Sequence, residues 1–408
     1  MDWKKRYLEA AENFRDCRCD ATFLSGFNVN IDRVIDAERI LEDKAEPKEL
    51  EEIRSWSDFQ SVLSYCVSNG KNMEIDLEDY RPEIDGGRRF IGGQGGIVST
   101  FASRIGAESV LYTPIISEEL ADALDDGIMS PLTDGDISLT DIENCVNSEE
   151  IKENLIFEFR GEKSGRMILS DDLPGFQPLF SEEWEDNLTL LDSEVDRVFL
   201  AGFHHLREEN IERAGRQLGM IDSPLHVEYV YTDDRKSDDV VMKILPEADS
   251  IGFDHEEMVQ ILESIEYAEE PESIEEYIEA LSEVMNFSEV DRVHLHTYNF
   301  HICLVSKDYS ITPEEVLDSM LFGEIAAIAS AEKGDIPERE DIESFDFEDK
   351  HLRGLEEIEK VSENGIEEFD DFYACLIPVV IHERPKRLVG LGDLISAGSF
   401  FWELFQSQ

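Results

Sequence analysis

Residues Ala21-Thr22-Phe23-Leu24-Ser25-Gly26-Phe27 run directly into Asn28-Val29-Asn30-Ile31-Asp32. The first seven form a short apolar run closed by a polar turn, which predicts a buried strand over 21–27. The polar residues at its end carry the decision. Side chains at the carboxyl end of such a strand point into the crevice where open α/β sheets bind ligands. Asn28, Asn30 and Asp32 alternate at period two, so they share a face and can exchange hydrogen bonds with hydroxyl groups. Asn and Asp are also ordinary turn residues, and this stretch alone leaves a plain turn as an equal explanation.

Outward from that stretch, apolar runs predict strands over 109–112, 197–202, 225–231, 249–253, 292–296, 301–305 and 372–381. Amphipathic spacing predicts helices over 97–105, 208–218, 256–265, 274–284, 313–331 and 392–405. Short strands joined through helices predict a largely parallel sheet covered on both faces. Two regions break the rhythm. Residues 33–90 are polar and helix-prone, whereas 148–190 alternate like strands at Leu155, Phe157, Phe159, Met167 and Leu169. Both read as insertions that form a small β-rich lid beside the main sheet. The expected division is a discontinuous large domain of 1–32, 91–147 and 191–408, with the lid formed by 33–90 and 148–190.

Composition bounds the function. Asp and Glu number 95 against 36 Lys and Arg, a net charge of −59 over 408 residues. Such a chain repels nucleic-acid phosphates and anionic membranes, so neither is an expected partner. The acids interleave with periodic apolar residues rather than forming a tail. At about 1 M salt the Debye length is near 3 Å and the self-repulsion is screened. The expectation is a protein of a halophile's cytosol. No apolar run reaches the ~18 residues of a membrane span, the first residues lack an apolar signal core, and six scattered cysteines do not make a disulfide scaffold.

Four further stretches can carry chemistry. Gly92-Gly93-Gln94-Gly95-Gly96 opens a helix, where backbone amides and the helix dipole favour anions; a flexible loop is the plainer alternative. Val389-Gly390-Leu391-Gly392-Asp393 leads into the last helix. Its glycines permit a tight turn with exposed amides, and Asp393 is placed to take a proton from an attacking hydroxyl. An N-cap aspartate in a glycine turn is the alternative. His226 and Glu228 share a face of their strand, and a carboxylate there can hold a magnesium ion through water. Asp254-His255-Glu256-Glu257 reads either as further acid for that ion or as the acidic first turn of a helix. The pair His294 and His296 lacks a third ligand at recognisable spacing, which argues against a metal there.

In this order and at these separations, the pieces resemble the ADP-dependent sugar kinase family, the archaeal ADP-dependent glucokinases and 6-phosphofructokinases within the ribokinase-like superfamily. Arg166-Met167-Ile168 and Arg292–Thr297 are weaker matches. The resemblance implies a three-layer α/β/α sandwich with a small lid closing over a sugar. It implies Asp393 as the base, with the amides of Gly390, Leu391 and Gly392 as an anion hole for the transferred phosphoryl. Glu228 would position Mg2+, with His226 orienting its strand and Asp254 and Glu257 beside it. Asn28, Asn30, Asp32, Gly93 and Gln94 would hold the sugar. The donor would be ADP, leaving AMP. Where the family usually shows Asn-x-x-Glu, this chain has Asp254 ahead of Glu257, an added charge that weakens nucleotide binding unless a cation neutralises it.

The acceptor stays open between two kinds of sugar. A sugar phosphate such as fructose 6-phosphate calls for cations, which Arg160, Lys163 or Arg166 supply, and free glucose calls for a carboxylate such as Glu74. An ATP-using ribokinase-like kinase, or a binding homologue of weakened activity, is the alternative function. A monomer or small homo-oligomer is expected.

Overall fold

The protein is described from a computed structural model covering residues 1–408 except 43, 78–79, 134–136, 161–163, 171–172, 174, 233, 268–269 and 407–408. The strand expected at 21–27 forms over Thr22–Phe27, inside a large twelve-stranded sheet. It pairs in parallel with Glu108–Tyr112 on one side and Arg197–Ala201 on the other. The parallel run continues through Leu225–Glu228, Ser250–Asp254 and Arg292–His296. Helices Glu208–Leu218, His255–Ser264 and Ile274–Ser288 carry the chain between these strands, as their amphipathic spacing predicts.

The edges of the sheet depart from the parallel expectation. Only three residues separate Arg292–His296 from Phe300–Ser306, and the two pair antiparallel. A parallel crossover needs a dozen residues or more, so a link this short can only turn back as a hairpin. Phe372–His382 then adds antiparallel to Phe300–Ser306, and a second hairpin, Met129–Thr133 with Ile137–Asp141, closes the other edge. The final helix Leu391–Gln406 packs along Pro313–Lys333.

A second sheet has the order Met73–Asp76, Ser164–Ser170, Glu153–Arg160, Asn30–Asp36, Arg88–Gly92. Helix Trp56–Asn69 packs on it through Phe59 and Leu63, which meet Ile35, Phe157 and Leu169 in a core separate from that of the large sheet. The helix-prone reading of 33–90 therefore holds for one helix, while three strands of this sheet draw on the same region. Arg88-Arg89-Phe90 hides its strand character because it lies at the sheet edge with both arginines exposed, which erases the alternation.

One boundary shifts. Asn30 and Asp32 belong to the small sheet, not to the end of the first strand, and only Asn28 and Val29 join the two. Among the described residues no helix is long and apolar enough to cross a membrane. All six cysteines are free thiols.

Candidate active site

The last helix begins immediately after the glycine turn, and Asp393 lies in its first turn. Gly390 takes φ +75°, a conformation that side chains resist, and a Cβ there would run into Ile97 of the other glycine-rich junction. The two junctions thus close on each other. The first N–H groups of a helix have no partner within it, so the amides of Leu391, Gly392 and Asp393 form a site of positive potential. The Asp393 carboxylate has no hydrogen-bond partner among the described residues and remains partly open to the cleft. Burial, then the charge of Glu228, push its carboxyl up to about 7, against the lowering pull of His296 and Arg387.

The far end of this helix shows how Asp393 is held. Glu403 is fully buried and accepts from Arg292 Nε at 2.8 Å, Arg197 Nη1 at 3.1 Å and the Tyr309 hydroxyl at 2.6 Å. Arg292 also donates to Ser399 Oγ at 2.8 Å and Ser250 Oγ at 3.1 Å. Removing either partner of such a buried pair would strand the other's charge, so the contact resists loss of either side.

From Ser250 a chain of hydrogen bonds climbs to the site. Burial keeps the His226 imidazole below its usual pKa and so neutral. Its Nδ1 therefore accepts from Ser250 Oγ at 2.8 Å while its Nε2–H donates to Glu228 Oε2 at 2.9 Å. Glu228 also accepts from His296 Nε2 at 3.0 Å and Ser396 Oγ at 3.2 Å. Burial opposes its charge, but the two histidines overcome this and bring its carboxyl down to about 2. His296 answers in kind: burial lowers it, yet the hydrogen bond to Glu228 outweighs that and lifts it to about 9. Its ring lies against the glycine turn, 2.7 Å from where a Cβ at Gly392 would stand.

On the facing side, Asp32 is buried and accepts from Asn30 Nδ2 at 2.6 Å, with its carboxyl pushed up to about 6 by burial. Gly93 (φ +70°) caps the helix Gln94–Arg104, and a side chain there would strike the Asn28 carbonyl and Asn30 Oδ1. Asn28 is expected among the sugar contacts, but both ends of its side chain are engaged: Nδ2 donates to Gln94 Oε1 and Oδ1 accepts from Lys152 Nζ, each at 2.8 Å. It orients Gln94 instead. Glu74 accepts from Ser170 Oγ at 2.6 Å, and both Glu74 and Arg166 act on the charge of Asp32 from the small sheet. Lys163 lies outside the described residues, as does the side chain of Arg160.

The metal expectation is redrawn. Asp254 and Glu257 form a reciprocal capping box on helix His255–Ser264: Glu257 N donates to Asp254 Oδ1 at 2.9 Å, and Asp254 N to Glu257 Oε2 at 2.8 Å. His226, expected beside the ion, spends both ring nitrogens on protein partners. Among the described residues no group of three or more His, Cys, Asp or Glu is arranged to hold a metal. The Glu257 carboxyl is nonetheless raised to about 8 by burial and by Asp254. The sequence reading passed over Lys152 and Arg387 and weighed His296 only as a metal ligand and as part of a weak family match. Lys152, His296 and Arg387 take their parts from tertiary position, and only Arg387, three residues ahead of Gly390, had a local signal.

Helix amides at the glycine turn, the unpartnered Asp393 carboxylate among them and the polar strand of Asn30 and Asp32 nearby suit a phosphotransferase of the α/β sandwich class. The family model for the ADP-specific phosphofructokinase/glucokinase conserved region matches residues 22–402, and the chain belongs to that family. Its sequence is 27% identical to the ADP-specific phosphofructokinase of Pyrococcus abyssi, covering 93% of this chain and 97% of that one. It is 26% identical to the ADP-dependent glucose/glucosamine kinase of Pyrococcus furiosus, covering 98% of each. In fold it is similar to an ADP-dependent kinase solved with fructose 6-phosphate and ADPβS (TM-score 0.84, 24% identity, 99% of this chain and 98% of that one).

Proposed function

We infer that this chain transfers the β-phosphoryl group of ADP to a hydroxyl of a hexose or hexose phosphate and releases AMP. The observation that carries the reading is the unpartnered Asp393 carboxylate among the first amides of the last helix. Its carboxyl near 7 suits a general base at neutral pH. Asp393 takes the proton of the acceptor hydroxyl as that oxygen attacks phosphorus. The amides of Leu391 and Gly392 stabilise the charge on the transferred group, and the imidazolium of His296 beneath the turn adds to it.

Asn30, Asp32, Gly93 and Gln94 orient the sugar, with Glu74 and Arg166 reaching in from the small sheet, which serves as a lid. Mg2+ fits as an ion held by one or two carboxylates and several waters, through Glu228 and Glu257. Such an ion supplies charge to the phosphates, and it would return Glu257 to its ionised form. The net charge of −59 supports work in a salt-rich cytosol, as a monomer or small homo-oligomer. The test is a panel of sugars and sugar phosphates with ADP or ATP in multimolar KCl, read by AMP formation. AMP from ADP with a hexose or hexose phosphate is expected, and turnover with ATP alone would replace this reading.

A further inference from the structure

Arg387 stands three residues ahead of Gly390 and is only 8% exposed. Its backbone is pinned to the end of helix Pro313–Lys333, where the Ala331 carbonyl accepts from Lys386 N at 2.6 Å and from Arg387 N at 3.4 Å. Its side chain folds back on the turn it precedes, with Nε donating to the Val389 carbonyl at 2.9 Å. Nη1 is buried without a hydrogen-bond acceptor. The carboxylate of Asp335 lies 3.6 Å from it, but that group is partly exposed and already accepts from Arg104 Nη1 at 3.3 Å. An exposed, shared carboxylate does not absorb the charge of a buried guanidinium.

The small sheet offers a better partner. Asp32, Arg387 and Val389 line one cleft of about 30 Å³, room for a water or two rather than for a ligand. Asp32 is buried, and among the described residues only its Oδ1 is engaged, by Asn30 Nδ2 at 2.6 Å and Asn154 Nδ2 at 3.5 Å. Arg387 acts on the Asp32 charge more strongly than Arg166 does, and it acts on Asp393 as well. A buried guanidinium donor left open calls for an anionic acceptor, and Asp32 has an oxygen to give.

We propose that Arg387 is a positioning residue that couples the lid to the base: its Nε holds the turn that carries Asp393, and the open end of its guanidinium draws in the second oxygen of Asp32. It acts through these two carboxylates and touches neither the sugar nor a phosphate. The planar fork of arginine reaches two acceptors at once, which the single ammonium of lysine does not. The proposal rests on the sugar-kinase reading.

The test is steady-state kinetics of the full chain with ADP and its preferred hexose or hexose phosphate, for the wild type, Arg387→Gln and Arg387→Lys. In Arg387→Gln, kcat falls roughly tenfold or more through loss of a charge-assisted contact, while KM for ADP stays within about threefold. Arg387→Lys keeps the charge without the fork and falls between the two. An unchanged kcat in Arg387→Gln, or a lysine variant no better than the glutamine one, overturns the proposal. So does a loss confined to KM for the sugar, which would make Arg387 a direct ligand. If Arg387→Gln fails to fold by circular dichroism, Arg387→Lys alone decides: a fall in kcat of about threefold or more at constant KM for ADP upholds the proposal, and wild-type kcat overturns it. If the wild type forms no AMP with any sugar, the kinase reading fails separately. The link itself is then judged by a double-mutant cycle of Arg387→Lys with Asp32→Asn in denaturant unfolding: non-additive losses uphold it, and additive losses overturn it.

Discussion

Two junctions in this molecule look alike in sequence and behave differently. At Asp254–Glu257 and at Gly390–Asp393 an acidic residue meets the start of a helix beside the cleft. In the first, the Asp254 carboxylate takes the N–H of Glu257 and Glu257 returns the bond, so the acid is used up in capping the helix start. In the second, the helix starts on a glycine turn, and the Asp393 carboxylate accepts from nothing among the described residues. A capping acid satisfies its own backbone. A working acid is kept unsatisfied by its neighbours. Acidity at a helix start therefore says little until the fate of its lone pairs is known.

Substitution breaks the comparison most directly. Asp393→Ala removes the base, and AMP formation falls roughly 10²–10⁴-fold. Asp254→Ala stays within a few-fold by the same assay, and equal losses at both positions would erase the distinction. The anchoring of the working helix is tested at its other end. Glu403→Gln leaves Arg197 and Arg292 buried without their counter-charge and lowers unfolding stability in denaturant titration by about 3–5 kcal/mol.

Protonation separates the junctions further. Asp393 must be ionised to act, so kcat/KM falls about tenfold per pH unit below about 7. Glu257 bears on stability. Its carboxyl is raised to about 8 in the folded protein from 4.5, so the native state holds the proton more tightly than the unfolded chain does. That contribution is complete below pH 4.5 and is lost as pH rises through 8. Mg2+ binding the ionised form gives the opposite trend, so added Mg2+ raises the melting temperature more at about pH 8.5 than at about pH 6. Glu257→Gln removes that difference. The smallest effect belongs to the cap itself: Asp254→Ala costs about 0.5–2 kcal/mol and Asp254→Asn only a few tenths.

Where chemistry is local, the sequence was legible. Each parallel strand carries its own apolar run, and the turn at 389–393 holds its glycines and acid within a single short stretch. The antiparallel edge was missed although the three-residue gap after His296 already forbids a crossover. The strand Arg88–Gly92 was hidden by its exposed arginines. Asp393, Glu228, Asn30 and Asp32, singled out in the sequence, do lie near one another. The engagement of Asn28 was not legible, because its amide looks the same in sequence whether it faces a ligand or Gln94. Nor were the parts of His296 and Lys152, which act on partners 68 and 124 residues away. Long-range pairing leaves no trace in spacing.

The small sheet leaves the large one at three places close to the site, Asn28, Gln94 and Lys152, and hydrogen bonds knot these three side chains together. Any turning of one sheet against the other is therefore a swing about that knot. Asp32, close to that pivot, is carried through only a short arc. The strand Met73–Asp76, at the opposite edge of the small sheet, lies at the end of the lever and sweeps furthest.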